Sequence, residues 1–317
     1  MSATTLPLPI TRLHLTVRAD APLCLPPYAG SMLRGAWGHA LLALAPLPHH
    51  DGQPCALHAT CPYCQVFATP PLPAHSLQKF SAMPQPYVVE PPQGGAQRLA
   101  AGQTFTFGLV LIGKAHAHLP TLLQAWERAL RTGLGVQQTL CTLLEVQSEN
   151  GIQSLLDMRK QLSQQEQTLP TAPVLGQHAT LHFTSPLRLQ VQGKPAKAKE
   201  LTARHLLITL ARRWQLLLDV HLGPVAPQQD FAQLVAQAEG IAIDAQALRW
   251  FDWGRFSQHQ QQEMKFGGLM GELHLHGELA PFADLLHLGQ WLHVGKNATF
   301  GLGGYRLQVN PQQTPTG

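Results

Sequence analysis

The feature that most constrains this chain is an order of elements that occurs twice. Ile10–Ala19 alternates apolar and polar residues, with Ile10, Leu13, Leu15 and Val17 among Thr and Arg, and predicts a strand. Ser31–Leu44 carries Met32, Leu33, Ala36, Trp37, Ala40, Leu41 and Leu44 at helical spacing, with Ser31 as the expected N-cap and Pro46 as the stop. The Pro- and His-containing stretch Pro46–Pro92 reads as an elaborated loop. Thr104–Ile112 predicts a strand with Phe105, Phe107, Leu109 and Leu111 on one face, His118–Arg131 a helix, and Leu140–Val146 another strand.

The second half repeats the order. Ala179–Val191 predicts a strand or bent hairpin broken by Pro186, and Leu201–Val220 a long amphipathic helix. Leu248–Phe256 and Gly271–Leu279 predict an antiparallel pair of strands. Pro281–Leu292 predicts a helix, with proline at its start where a missing N–H costs little. Tyr305–Val309 closes the unit. The fold class expected is α+β, with two tandem ferredoxin-like (βαββαβ) domains. Their expected limits are residues 1–150, with the Cys- and His-containing insert at 46–92, and residues 177–317. The polar, Gln-rich segment 151–176 between them predicts a linker, with a helical turn around Leu155–Leu162.

A chain of 317 residues with 44% hydrophobic content can bury two such cores. No apolar run reaches the roughly 18 residues that a bilayer requires, and Met1–Pro9 lacks the basic region and apolar core of a secretory signal. The expectation is therefore a cytoplasmic protein with no membrane partner. The formal charge of +4 says little; its distribution says more. Arg188, Lys194, Lys197, Lys199, Arg204, Arg212 and Arg213 face Glu200 alone in one stretch, a cationic surface suited to phosphates. Lys197, Lys199 and Arg204 are the residues singled out there as RNA contacts.

Between the last helix and the last strand lies His293-Val294-Gly295-Lys296-Asn297-Ala298-Thr299-Phe300-Gly301-Leu302-Gly303-Gly304-Tyr305. Glycines permit positive φ and close backbone approach, and successive N–H groups in such a turn can face a phosphate. This is neither a P-loop nor a dinucleotide fingerprint, because the order helix–loop–strand is the reverse of both. The alternative is a tight connection that needs small residues.

The stretch Arg255–Leu307 resembles the C-terminal domain of the CRISPR-associated RAMP endoribonucleases that process precursor crRNA. The matching pieces are Phe256-Ser257, Gln260, Met264-Lys265-Phe266-Gly267-Gly268, Gly271-Glu272 and Gly277-Glu278-Leu279. Trp291-Leu292-His293-Val294-Gly295-Lys296 and Thr299-Phe300-Gly301-Leu302-Gly303 follow. Leu33-Arg34-Gly35-Ala36-Trp37-Gly38-His39-Ala40-Leu41 and Cys61-Pro62-Tyr63 resemble the same subfamily. In two places the chain departs from the family pattern: His293 replaces the first loop glycine, and His259 stands where a basic residue is expected before Gln260. The resemblance implies repeat-RNA binding through Arg34, Arg255, Lys265, Lys296, Gly295, Gly301 and Gly303. It also implies CRISPR RNA, and other proteins of a CRISPR effector complex, as partners.

The reaction it implies is metal-independent. A ribose 2′-OH attacks the adjacent phosphate and leaves a 2′,3′-cyclic phosphate and a 5′-OH. That chemistry needs a base, a proton source and cationic stabilisation, and histidine suits the proton transfers. His39 is the first candidate, on the first helix between Gly35 and Gly38, where missing side chains give RNA room. His293 is the second, and Tyr28 is a candidate for orienting RNA or assisting proton transfer. A RAMP-fold subunit that holds crRNA without cutting is the other class of reading. A zinc hydrolase lacks its ligands here, since no His-Glu-x-x-His occurs. No cofactor is expected for catalysis. Cys55, Cys61 and Cys64, with His58 between them, have the ligand types of a structural zinc site that ties down the long loop; free, partly buried thiols are the alternative.

Overall fold

A computed structural model describes residues 8–47, 55–72, 75–79, 83–149, 169–257 and 262–309. The chain forms two compact units. One comprises Thr4–Leu169 with Leu216–Ala226; the other is made chiefly of Pro170–Gln215 and Pro227–Gly317. The expected helical turn at Leu155–Leu162 lies outside the described residues.

In chain order the first unit runs β1 (Ile10–Ala19), β2 (Leu23–Leu25), α1 (Gly30–Leu42), β3 (Tyr87–Glu90), β4 (Gln97–Leu99), β5 (Thr104–Ile112), α2 (Leu119–Thr132) and β6 (Cys141–Ser148). Its main sheet has the order β3-β5-β1-β6, with every neighbouring pair antiparallel. That is the ferredoxin-like arrangement. Strand periodicity sends Leu13, Leu15 and Val17 of β1 and Phe105, Phe107, Leu109 and Leu111 of β5 into one core with both helices. There the indoles of Trp37 on α1 and Trp126 on α2 stack, with centroids 5.4 Å apart. The Trp37 Nε1–H donates to the Leu122 carbonyl at 3.1 Å.

Two expectations are corrected in this unit. Helix α1 starts at Gly30, its N-cap is Ala29, and Ser31 lies inside it without capping. The supposed loop 46–92 also contains β3, the edge strand that completes the ferredoxin order. Its four residues are too few to show a period and sit between prolines, but three of them are buried.

The second unit runs β7 (His178–Leu187), β8 (Gln190–Val191), β9 (Lys194–Pro195), α3 (Ala203–Leu222), α4 (Phe231–Glu239), β10 (Ala242–Asp244), β11 (Arg249–Ser257), β12 (Gln262–His276), α5 (Ala283–Leu292) and β13 (Tyr305–Val309). Its sheet order, β10-β12-β7-β13, repeats that of the first unit, and β11 pairs with the early part of β12. Strand β12 begins at Gln262, nine residues before the expected Gly271, and that early part pairs with β11 as a hairpin. Helix α4, capped by the Asp230 carboxylate, and strand β10 were not expected from the pattern.

Candidate active site and glycine-rich loop

His39 lies on α1, which is pinned to the core by Leu33, Trp37, Ala40 and Leu41. His39 itself is exposed. Gly35 is one turn earlier on the same helical face, and a Cβ built there meets nothing within 4 Å. The space before His39 is therefore open, as expected for Gly35. Gly38 behaves differently, because its missing side chain is replaced by the Phe67 ring; it gives RNA no room.

Phe67 ends the short helical turn Tyr63–Phe67. It stacks on Tyr87 with centroids 5.8 Å apart and meets Trp37 edge-on at 5.9 Å. Arg34 is held in this group. Its Nε–H donates to the Tyr87 hydroxyl at 2.7 Å, and its guanidinium carbon lies 4.2 Å from the Phe67 ring centre. Such a cation is fixed in direction by aromatic faces. Tyr28 is buried, and burial, then the Glu90 charge, raises its hydroxyl well above the usual range. It is packed in the core of the first unit.

The glycine-rich loop is built inward. Helix α5 ends at His293, whose backbone adopts φ 56°, a left-handed value unusual for a non-glycine residue. The His293 ring is only 3% exposed, and its Nδ1 bonds the Gly301 carbonyl at 3.1 Å and the Leu302 carbonyl at 3.2 Å. Several of the loop's N–H groups bond carbonyls of the loop itself or of the segment Pro186–Arg188. Lys296 N–H donates to the Arg188 carbonyl at 2.8 Å, Gly303 N–H to the Pro186 carbonyl at 2.9 Å, and Val294 N–H to the Gly303 carbonyl at 3.0 Å. Gly304 N–H donates to the Ser185 hydroxyl at 2.8 Å, and that hydroxyl donates to the Gly301 carbonyl at 2.5 Å.

These bonds bear on two expectations. His293 is a loop-holding residue, sealed from any substrate hydroxyl, and is withdrawn as a base. The glycines are required by the fold: Gly295, Gly301 and Gly303 have φ of 96°, 87° and 72°, and a Cβ at Gly303 would collide with the Val294 carbonyl. Lys296 is the exposed side chain that the loop presents.

Lys197 and Lys199 are exposed beside a short 3₁₀ turn. Arg204 is also exposed, but its Nη1 pairs with Glu239 at 2.9 Å, which offsets its charge. Arg255 and Lys265 stand on the β11–β12 hairpin, where Arg255 pairs with Met264 and Gly254 with Lys265; their side chains lie outside the described residues. The Sγ atoms of Cys55, Cys61 and Cys64 lie within 4.8 Å of one another. His58 is exposed and its imidazole is not part of that cluster. Burial, followed by the adjoining Cys61 and Cys55, pushes the Cys64 thiol up to about 12. His274 and His276, which share a strand face, bond Thr180 and His178 across β7.

The chain thus consists of tandem ferredoxin-like units, with a glycine-rich loop leading from a helix into the last strand of the second. Residues 181–305 match the family model of the CRISPR-associated endoribonuclease Cas6, and residues 8–173 match a model described as an N-terminal domain. The Cas6 match lies chiefly in the second unit and covers less than half of the chain. A Cas6 product complex superposes with a TM-score of 0.58 at 16% identity, covering 94% of this chain and 100% of that one. Thermus thermophilus Cas6 gives 0.53 at 14%, covering 96% and 100%. A partial Cas6-RT-Cas1–Cas2 complex gives 0.55 at 15%, covering 98% of this chain and 48% of that one. At these identities the likeness is one of fold. No curated protein matches the chain. Among the described residues, no helix is long and apolar enough to cross a membrane.

Proposed function

We propose that this chain binds CRISPR repeat RNA and cuts it within the repeat without a metal ion in the chemistry. The match of residues 181–305 to the Cas6 endoribonuclease model supports the reaction class, and the exposed His39 behind the open face of Gly35 carries the assignment of its base. In this reading the His39 imidazole takes the proton of a ribose 2′-OH as that oxygen bonds to the adjacent phosphorus. The bond from phosphorus to the 5′-oxygen breaks, and that oxygen takes up a proton. The ends are a 2′,3′-cyclic phosphate and a 5′-OH. Arg34, Lys197, Lys199 and Lys296 supply positive charge for the RNA backbone. Other CRISPR-associated proteins are the partners this reading implies.

The test is incubation with repeat RNA in excess chelator, beside a substrate carrying 2′-deoxyribose at the scissile nucleotide. Cleavage of the first and none of the second is expected. Binding without cleavage of either would make the chain a crRNA-holding subunit. Cleavage of the deoxy substrate, which has no nucleophile, would overturn the mechanism.

A further inference from the structure

The segment Cys55–Phe67 takes no part in the chemistry above, yet it gathers three sulfur atoms. A tetrahedral zinc ion with Zn–S bonds of about 2.3 Å holds its sulfurs roughly 3.8 Å apart; the three thiols, all within 4.8 Å of one another, need only a small contraction to reach that spacing. None is in a disulfide. The backbone folds around them as a knuckle. Cys61 N–H donates to the Leu57 carbonyl at 2.7 Å and Gln65 N–H to the Cys61 carbonyl at 2.9 Å. The Gln65 side chain ties back to the His58 carbonyl at 2.6 Å. Cys61 and Cys64 are buried, whereas Cys55 is partly open.

The knuckle leads directly to Phe67, three residues past Cys64. Its ring fills the groove at Gly38 and lies under Arg34. We propose that Cys55, Cys61 and Cys64 bind one zinc ion as thiolates, and that this ion holds Phe67 against the helix that carries His39. The thiol protons leave to solvent on binding. The ion is a positioning element and touches no substrate.

The experiment uses the full chain made with zinc supplied and purified without chelator. Elemental analysis should find about one zinc per chain. Cys61→Ser and Cys64→Ser should lose it, while Cys24→Ser, which changes an exposed cysteine on β2, should keep it. Cobalt loaded into the emptied wild type should give a thiolate-to-cobalt charge-transfer band, a readout that does not depend on how well a variant folds. Removing zinc should lower the Tm of the wild type, with recovery on its return, and should lower that of Phe67→Ala much less. A zinc-free wild type, equal zinc in Cys61→Ser and Cys24→Ser, or the absence of the cobalt band would overturn the site. An equal Tm loss in Phe67→Ala would overturn the link to α1. None of these readouts involves RNA, so the outcome is separate from that of the cleavage test.

Discussion

The ring of Phe67 occupies the space that a side chain at Gly38 would fill. Gly38→Ala should therefore cost about 1–3 kcal/mol, the range for an overfilled core. In a Phe67→Ala background the same substitution should cost nothing, or gain up to about 1 kcal/mol from the better helix former. Urea unfolding of the four proteins measures this coupling. Equal costs in the two backgrounds would mean that something other than the ring sets the requirement for glycine.

Next comes the base. His39→Ala should leave repeat-RNA affinity nearly unchanged and slow single-turnover cleavage by roughly 10²–10⁴-fold. His293→Ala should act differently. Its ring bonds two loop carbonyls, so its loss should appear first as lower stability, with cleavage reduced only as far as folded protein is lost. A cleavage defect in His293→Ala at full stability would reverse the two roles.

The loop separates folding from contact. Gly303→Ala should destabilise the second unit, since its Cβ would collide with the Val294 carbonyl. Lys296→Ala, at an exposed position, should leave Tm unchanged and weaken RNA binding. Thermal melts beside filter binding distinguish them. A stable Gly303→Ala with weak binding would restore the direct RNA role for that glycine.

The contrast also shows what a sequence can disclose. Both ferredoxin orders were legible because β1, β5 and β13 carry period-two patterns and α1, α2 and α3 carry helical ones. The edge strand Tyr87–Glu90 was hidden because it is short and pairs only with β5, a partner whose place depends on the tertiary fold. The glycine loop was found with two readings, a phosphate cradle and a tight connection. Positive φ serves a close ligand or a close neighbouring chain equally well, and only the positions of Pro186 and Arg188 distinguish the two. His39 could be named from its helix. Phe67 could not, because it and Gly38 stand 29 positions apart in the sequence.

Charge gives a further expectation. Replacing Lys197 and Lys199 together with Ala should reduce the slope of log affinity against log salt by about 1–2, because each lost phosphate contact removes nearly one released counterion. Arg204→Ala should change it less, since Glu239 already pairs with that guanidinium. Titrations at several salt concentrations decide this, and an unaltered slope in the double variant would place RNA elsewhere.

Stability should fall in mild acid. His221, near the end of α3, accepts the Lys114 backbone N–H through Nδ1 and fits against Gly113. Burial, then the charges of Lys114 and His116, lowers it to about 4. The unfolded chain takes up this proton near pH 6.5, whereas the folded chain resists until about 4. The stabilisation is therefore complete above about pH 6.5 and is lost as pH falls towards 4, by on the order of 2–3 kcal/mol. His221→Gln should flatten that part of the pH–stability curve. An unchanged curve would assign the acid sensitivity to other groups.

The inward bonding of the glycine loop has a bearing on ancestry. A descendant that lost its cutting chemistry would still need Gly295, Gly301 and Gly303 in order to fold, so selection for a sound scaffold alone would preserve the signature. The motif thus reports the scaffold and not the chemistry built on it.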